Sequence, residues 1–232
     1  MINKFLNVLF PETCPICQRP ASDHKTAPVC TECWQSIKPY TGPKCRTCGR
    51  PLISDASTVC GDCLQDGPAF DSARSFGLYE GALRKAINLL KYHHVKRLSG
   101  PLSDILLQVE IPRVEAVLPV PLYKQRLRQR EFNQSALIAK YLAKSQGSIL
   151  VLDALVKLRD TKPQVGLSSN ERRKNMKNAF GLQNKEAVKG KDILLIDDVS
   201  TTGATIRECS KVLKKAGANS IHVLTLAHGM MD

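Results

Sequence analysis

The sequence predicts an α/β protein, a parallel sheet with helices on both faces, preceded by a small cysteine-rich module. Three observations carry this prediction. Eight of the nine cysteines fall between Cys14 and Cys63 as four C-x-x-C pairs. From residue 71 onward, short apolar runs of strand length alternate with segments of helical period. One of those runs, Ile193–Ile196, ends in two adjacent acids and a turn of small hydroxylated residues before the next helical pattern. The composition changes at Gly67–Ser72, which predicts a module at 1–68 and a domain at 69–232.

The pairs are Cys14/Cys17, Cys30/Cys33, Cys45/Cys48 and Cys60/Cys63, separated by 12, 11 and 11 residues. A C-x-x-C turn aims two thiolates at one ion, and a second such turn completes a tetrahedron. Four at near-regular spacing predict two structural Zn²⁺ ions, each held by four cysteines. Disulfides would need an oxidising compartment, and the start of the chain shows no export signal. A redox C-x-x-C occurs once, beside a βαβ pattern; an iron–sulfur cluster is the remaining alternative. Between Pro11 and Asp66 only 12 of 56 residues are apolar, cysteines aside, so the module needs a metal staple. Gly49 and Gly61 each follow a cysteine, where a knuckle turn favours positive φ. Trp34 is the expected main core residue here. Pairing of the C-x-x-C turns, sequential or cross-braced, is open from spacing.

In the domain, Leu83, Ile87, Leu90 and His94 recur at helical spacing. Pro101 starts a second helix carrying Leu102, Ile105, Leu106 and Val109. Val114–Leu118 reads as a buried strand. Asn133–Ser145 reads as a helix with Ala136, Leu137, Ala139, Tyr141 and Leu142 on its apolar face. Ile149–Leu158 is apolar, strand or helix. Residues 159–189 lack apolar periodicity and read mostly as loop. Ile193–Val199 is a strand, Thr205–Lys215 a helix closed by Gly217, and Ile221–Ala227 the last strand. Cys209 falls on the apolar stripe of its helix and reads as core. No stretch is long and apolar enough to span a membrane, and the expected compartment is the cytoplasm.

The run Ile193-Leu-Leu-Ile-Asp-Asp-Val-Ser-Thr-Thr-Gly-Ala-Thr205 is an anion cradle in chemical terms. The N–H groups of Thr201–Thr205 and the helix start can hold a phosphate, and Ser200, Thr201, Thr202 and Thr205 add hydroxyls. Gly203 permits close approach. Asp197 and Asp198 stand where carboxylates can accept from ribose hydroxyls, directly or through Mg²⁺. Neither a Walker A nor a G-x-G-x-x-G pattern is present.

This run resembles the phosphoribosyl-pyrophosphate (PRPP) motif of type I phosphoribosyltransferases. The resemblance implies that Asp197 and Asp198 contact ribose or Mg²⁺ and that Ser200, Thr201, Thr202, Gly203, Ala204 and Thr205 hold the 5′-phosphate. With CPIC and CRTCGRPL, LLKYHH at 89–94, LPVPLYKQRLRQREFNQS at 118–135 and Thr161–Phe180 (Gln164, Leu167, Ser168, Arg172, Asn175, Asn178, Ala179, Phe180), the whole chain resembles the ComF/GntX family of competence and DNA-utilisation proteins. The family usually has glycine where this chain has Glu131. The resemblance implies a loop after the strand Val114–Leu118 that receives pyrophosphate, with Lys124, Arg126, Arg128 and Arg130 as contacts to it or to a DNA backbone. It also implies a covering loop around Arg172.

Charge is consistent with a polyanionic ligand. The chain carries 34 Lys+Arg against 21 Asp+Glu, net +13. Residues 1–70 hold 7 basic and 6 acidic side chains, so the excess lies in the domain. Arg172, Arg173, Lys174 and Lys177 form a second basic cluster; Arg84, Lys85, Lys91, Lys96 and Arg97 form a third, beside His93 and His94, which read as structural or surface residues. Three functions follow: a protein handling incoming single-stranded DNA with a PRPP site, with DNA-uptake machinery as partners; a phosphoribosyltransferase acting on an unread acceptor; and a sensor in which PRPP tunes DNA binding. Aromatic residues are only 5%, which disfavours extensive base stacking.

Overall fold

The computed structural model describes residues 12–162 and 167–229. The apolar run at 1–10 and Gln164 lie outside the described residues. Residues 12–66 use one local plan twice. In the first copy, Thr13 and Pro20 bridge around the Cys14–Cys17 knuckle. The Cys14 N–H donates to Arg19 O at 2.8 Å and the Gln18 N–H to Cys14 O at 2.9 Å. Cys30 then caps α1 (Thr31–Gln35), which carries Cys33 on its buried side. In the second copy, Lys44 and Pro51 bridge around Cys45–Cys48, with Cys45 N–H to Arg50 O at 2.8 Å and Gly49 N–H to Cys45 O at 2.9 Å. Cys60 caps α2 (Gly61–Gln65).

Gly49 takes φ +71°, as the knuckle requires, and a Cβ there would lie 2.7 Å from Ala73 O. The first knuckle places Gln18 at φ +63° instead. Gly61 is not a turn glycine; it is the first residue of α2.

The domain sheet has five parallel strands in the order β1 (Ser72–Leu78), β7 (Ser220–His228), β6 (Asp192–Ser200), β2 (Ala116–Pro119) and β3 (Ile149–Leu150). β6 is central. Its Ile193 and Leu195 enter one core, and Leu194 and Ile196 the other, all fully buried. That is the two-residue period of a strand covered on both sides. One face carries α3 (Gly81–Tyr92), α4 (Ser99–Leu106) and α6 (Gln134–Gln146); the other carries α8 (Ala204–Lys215). Asn133 caps α6 by accepting from the Ser135 N–H at 3.0 Å. Gly217, at φ +92°, lies just past α8.

Several sequence expectations need correction. The described part of 159–189 is mostly loop, yet it also contains α7 (Ser169–Met176) and β5 (Phe180–Leu182), which pairs antiparallel with β4 (Leu155–Lys157). A capping box makes α7, with the Ser168 N–H donating to Glu171 Oε2 at 2.8 Å. Met176 is its one large buried apolar residue, so no periodicity marks it. Lys124–Arg130 is a helix, α5, with no buried residue, rather than a loop. Ile149–Leu158 resolves into β3 and β4. His94 lies beyond α3, at φ +57°. Val109 lies beyond α4, which begins at Ser99, before Pro101. On α6, Tyr141 is exposed, and Ile138 and Ala143 join the expected Ala139 and Leu142 in the core. Trp34 is only partly buried; Ala21, Ala27 and Val29 are the buried apolar residues around the first cysteine group.

Candidate functional site

Two constellations stand out, the cysteine groups and the loop after β6. Cys14, Cys17, Cys30 and Cys33 form one group, and Cys45, Cys48, Cys60 and Cys63 the other, with ligand atoms within 4.8 Å of one another in each. The grouping is sequential. Cys17 and Cys30 sulfurs stand 3.5 Å apart, and Cys48 and Cys60 sulfurs 3.6 Å. Zn–S bonds of about 2.3 Å arranged tetrahedrally place sulfurs roughly 3.8 Å apart, so both groups fit zinc. The thiols divide within each group. Main-chain and side-chain donation from Arg19 brings Cys17 down to about 6. Burial pushes Cys33 up. In the second group, N–H donors around Cys45 outweigh its burial and bring it to about 6, while burial raises Cys48 and lifts Cys63 to about 11. Four thiolates can coexist at such spacing only around a cation.

The second constellation begins where β6 delivers Asp197 and Asp198 to its carboxyl end. Ser200 is the last strand residue, Gly203 turns the chain at φ +71°, and α8 starts at Ala204. A Cβ at Gly203 would meet only Ile206, at 3.6 Å, so the glycine serves the backbone conformation. The N–H groups of Thr201, Thr202 and Gly203 make no hydrogen bond among the described residues. That leaves donors for an anion at the start of a three-turn helix.

A cleft of about 240 Å³ lies over this loop. Asp197, Asp198, Ser200, Thr201, Gly203, Ala204 and Thr205 line it, and Arg126 and Arg130 reach it from α5. Thr202 is buried behind the loop, where its hydroxyl accepts from the Ala204 N–H at 3.4 Å. Lys124, Arg128 and Arg172 do not line the cleft. The reason for the first two is the helix: Arg126 and Arg130 share one face at i, i+4, and Lys124 and Arg128 share another. Alternate positions clamp together only on extended chain. Glu131 ends α5 at φ +61°, a left-handed position that favours glycine.

Four further polar groups support the site, of which sequence reasoning names only Lys91, as a member of a basic cluster. Lys91, at the end of α3, pairs with Asp198 at 2.8 Å. Gln134 donates to the same carboxylate at 2.8 Å. Ser135 donates to Asp197 at 3.3 Å. Lys157 on β4 donates to Thr161 at 2.9 Å and lies over the Phe180 ring. Lys91, Gln134 and Ser135 fall inside LLKYHH and REFNQS, so the motifs held the signal; Lys157 had none. Burial pushes Asp197 up to about 7, and the neighbouring Asp198 adds to the rise. Burial opposes the charge on Lys91, yet Asp198 beside it raises the ammonium above its usual range. Burial, then Arg126, lowers Lys157. The cleft thus holds one neutralised carboxylate, one poised carboxylate, and three further cations.

Two family models match the chain. Residues 5–64 match the double zinc ribbon domain family, and residues 137–231 match the phosphoribosyl transferase domain family. The molecule is therefore a double zinc ribbon joined to a phosphoribosyltransferase-type α/β domain. Competence protein F of Haemophilus influenzae is 33% identical over 86% of this chain and 90% of its own. DNA utilization protein YhgH of Escherichia coli K12 is 30% identical over 93% and 96%. Competence protein ComFC of Bacillus subtilis is 29% identical over 85% and 83%. The chain belongs to the ComF/GntX family of competence and DNA-utilisation proteins. Among the described residues, no helix is long and apolar enough to cross a membrane.

Proposed function

We propose that this protein binds PRPP, or a related ribose phosphate, in the cleft over β6 and handles single-stranded DNA in the cytoplasm during natural transformation or DNA utilisation. The observation that carries the reading is one cleft combining free loop N–H groups, two carboxylates and the cations Lys91, Arg126, Arg130 and Lys157. The 5′-phosphate sits on Thr201–Thr205. The ribose hydroxyls donate to Asp197. Asp198, already engaged by Lys91 and Gln134, anchors that wall. Arg126, Arg130 and Lys157 face the diphosphate. Mg²⁺ fits the Asp197 carboxylate together with ligand oxygens and would offset the diphosphate charge when bound. Two Zn²⁺ ions staple residues 1–68, and 69–232 form the ligand-binding domain. The names of the relatives support the DNA role, and DNA-uptake proteins are its expected partners.

A second reading is turnover. Cations placed for a diphosphate are also placed to stabilise it as it leaves the anomeric carbon. The acceptor would attack that carbon as the C–O bond to pyrophosphate breaks. One experiment separates the readings: PRPP binding by calorimetry with Mg²⁺, alongside pyrophosphate release against free nucleobases and single-stranded DNA. Wild type should bind, and D197N/D198N should not. Unchanged affinity in that variant refutes the site; acceptor-dependent release that vanishes in it establishes transfer.

A further inference from the structure

A second concavity lies beside the cleft, between α7 and α8. It measures about 420 Å³, and its walls carry Arg173, Lys174, Lys177, Arg207, Lys211 and Lys215 against Asp66 and Glu208. Phe180 and Ala204 line both this groove and the cleft, so the two are continuous at the start of α8. From this geometry we infer that the groove is a track for the phosphodiester backbone of a single nucleic-acid strand, leading into the phosphate loop. The inference rests on the DNA-handling reading above and says where on the molecule the strand lies.

The charges divide by engagement. Arg173 binds Asp62 at 2.6 Å, and Arg207 donates to Asp66 O at 2.6 Å, which pins both walls to the second ribbon. Glu208 is spent on Lys211, at 3.1 Å, and on the Asn178 N–H, at 3.0 Å. Lys174, Lys177 and Lys215 are exposed, and among the described residues none has a carboxylate within 4.0 Å. Free ammonium groups on fixed walls suit a chain of phosphates. The lining has no exposed aromatic ring, so the groove offers no stacking platform and no base readout. It also lacks the exposed apolar residues that a lipid surface would engage. A strand lying here would run along α8 and bring its end to the loop at Thr201–Gly203.

The test is fluorescence anisotropy of a labelled oligothymidine over a salt series, using zinc-loaded full-length protein. K174A/K177A/K215A removes three phosphate partners. It should bind at least about tenfold more weakly at low salt, and its log K against log salt slope should shrink by about 2. K25A/K140A/K144A removes the same charge from exposed positions elsewhere and should leave the slope close to wild type. Zinc content and thermal unfolding confirm that both variants fold. If wild type binds but the groove variant keeps its slope, the groove is wrong and the DNA reading stands. An equal loss in the control variant also overturns the groove. If wild type binds no single strand, both fall. Polyglutamate competing as well as the oligonucleotide at equal charge would assign the groove to acidic polypeptides instead.

Discussion

The two ribbons share a plan and differ in how they are held. Knuckle, bridge and capped helix repeat with matching hydrogen bonds in each. The first ribbon is continuous with the domain: Cys14, Ala21, Ala27, Val29, Cys30 and Cys33 belong to the same core as Leu83, Ile87, Leu102 and Leu142. The second keeps a small core of Cys45, Cys60 and Cys63. Only Cys48 packs on a domain core, the Ala73 N–H donates to Thr47 O at 2.8 Å, and charged clasps supply the other contacts. Asp62 joins Arg50, at 2.7 Å, to Arg173 of α7, at 2.6 Å. Arg207 of α8, one turn past the phosphate loop, donates to Asp66 O at 2.6 Å and to Cys63 Sγ at 3.4 Å. Equal metal sites can therefore serve unequal ends. The first ribbon is part of the fold's apolar mass, while the second reports to the helices that frame the cleft and the groove.

The largest test of this contrast is loss of metal. Cys14→Ser should destabilise the whole chain, on the order of several kcal/mol, because the released ribbon opens a shared core. Cys45→Ser should release one of two zinc ions yet leave the sheet folded, with hydrogen exchange rising mainly across 44–66. Equal global loss in both variants would erase the distinction. Val29→Ala, at a fully buried position of the shared core, should cost about 2 kcal/mol in global unfolding. Arg207→Met should cost about 1–2 kcal/mol by removing a buried donor to Cys63 and Asp66. It should also weaken PRPP binding, since α8 carries the phosphate loop. An Arg207→Met protein with unchanged ligand affinity would show that the second ribbon does not support the cleft.

The smallest effect concerns pH. Asp197 titrates near 7 in the folded chain against an ordinary 3.8. In that window the folded state binds the proton that the unfolded state has lost, so Asp197 costs stability increasingly as pH rises from about 4 to 7. Asp197→Asn should gain stability on wild type over that range and hold the gain above it. Urea unfolding at several pH values, without Mg²⁺, measures this; a flat difference would place the perturbation elsewhere.

The strand–turn–helix at 192–215 was legible because its apolar run is four residues long, its acids adjoin and its turn carries Gly203. Four C-x-x-C pairs were legible for the same reason, spacing imposed by one ion. Helix α7 was not, since a capping box rather than an apolar stripe makes it. Helix α5 was not, since none of its residues is buried.

By itself the sequence determined which residues could make up each candidate site: the paired cysteines, the adjoining carboxylates, the glycine-bearing turn after them, and an excess of positive charge in the domain. Those are local patterns, set by the geometry of a metal ion or of one turn. Tertiary structure alone decided which cations face the carboxylates. Lys91 and Lys157 come from a helix and a strand far apart in the chain, and they meet the end of β6 only through packing. It likewise split Lys124, Arg126, Arg128 and Arg130 between two faces, because helical period rather than charge governs where each side chain goes.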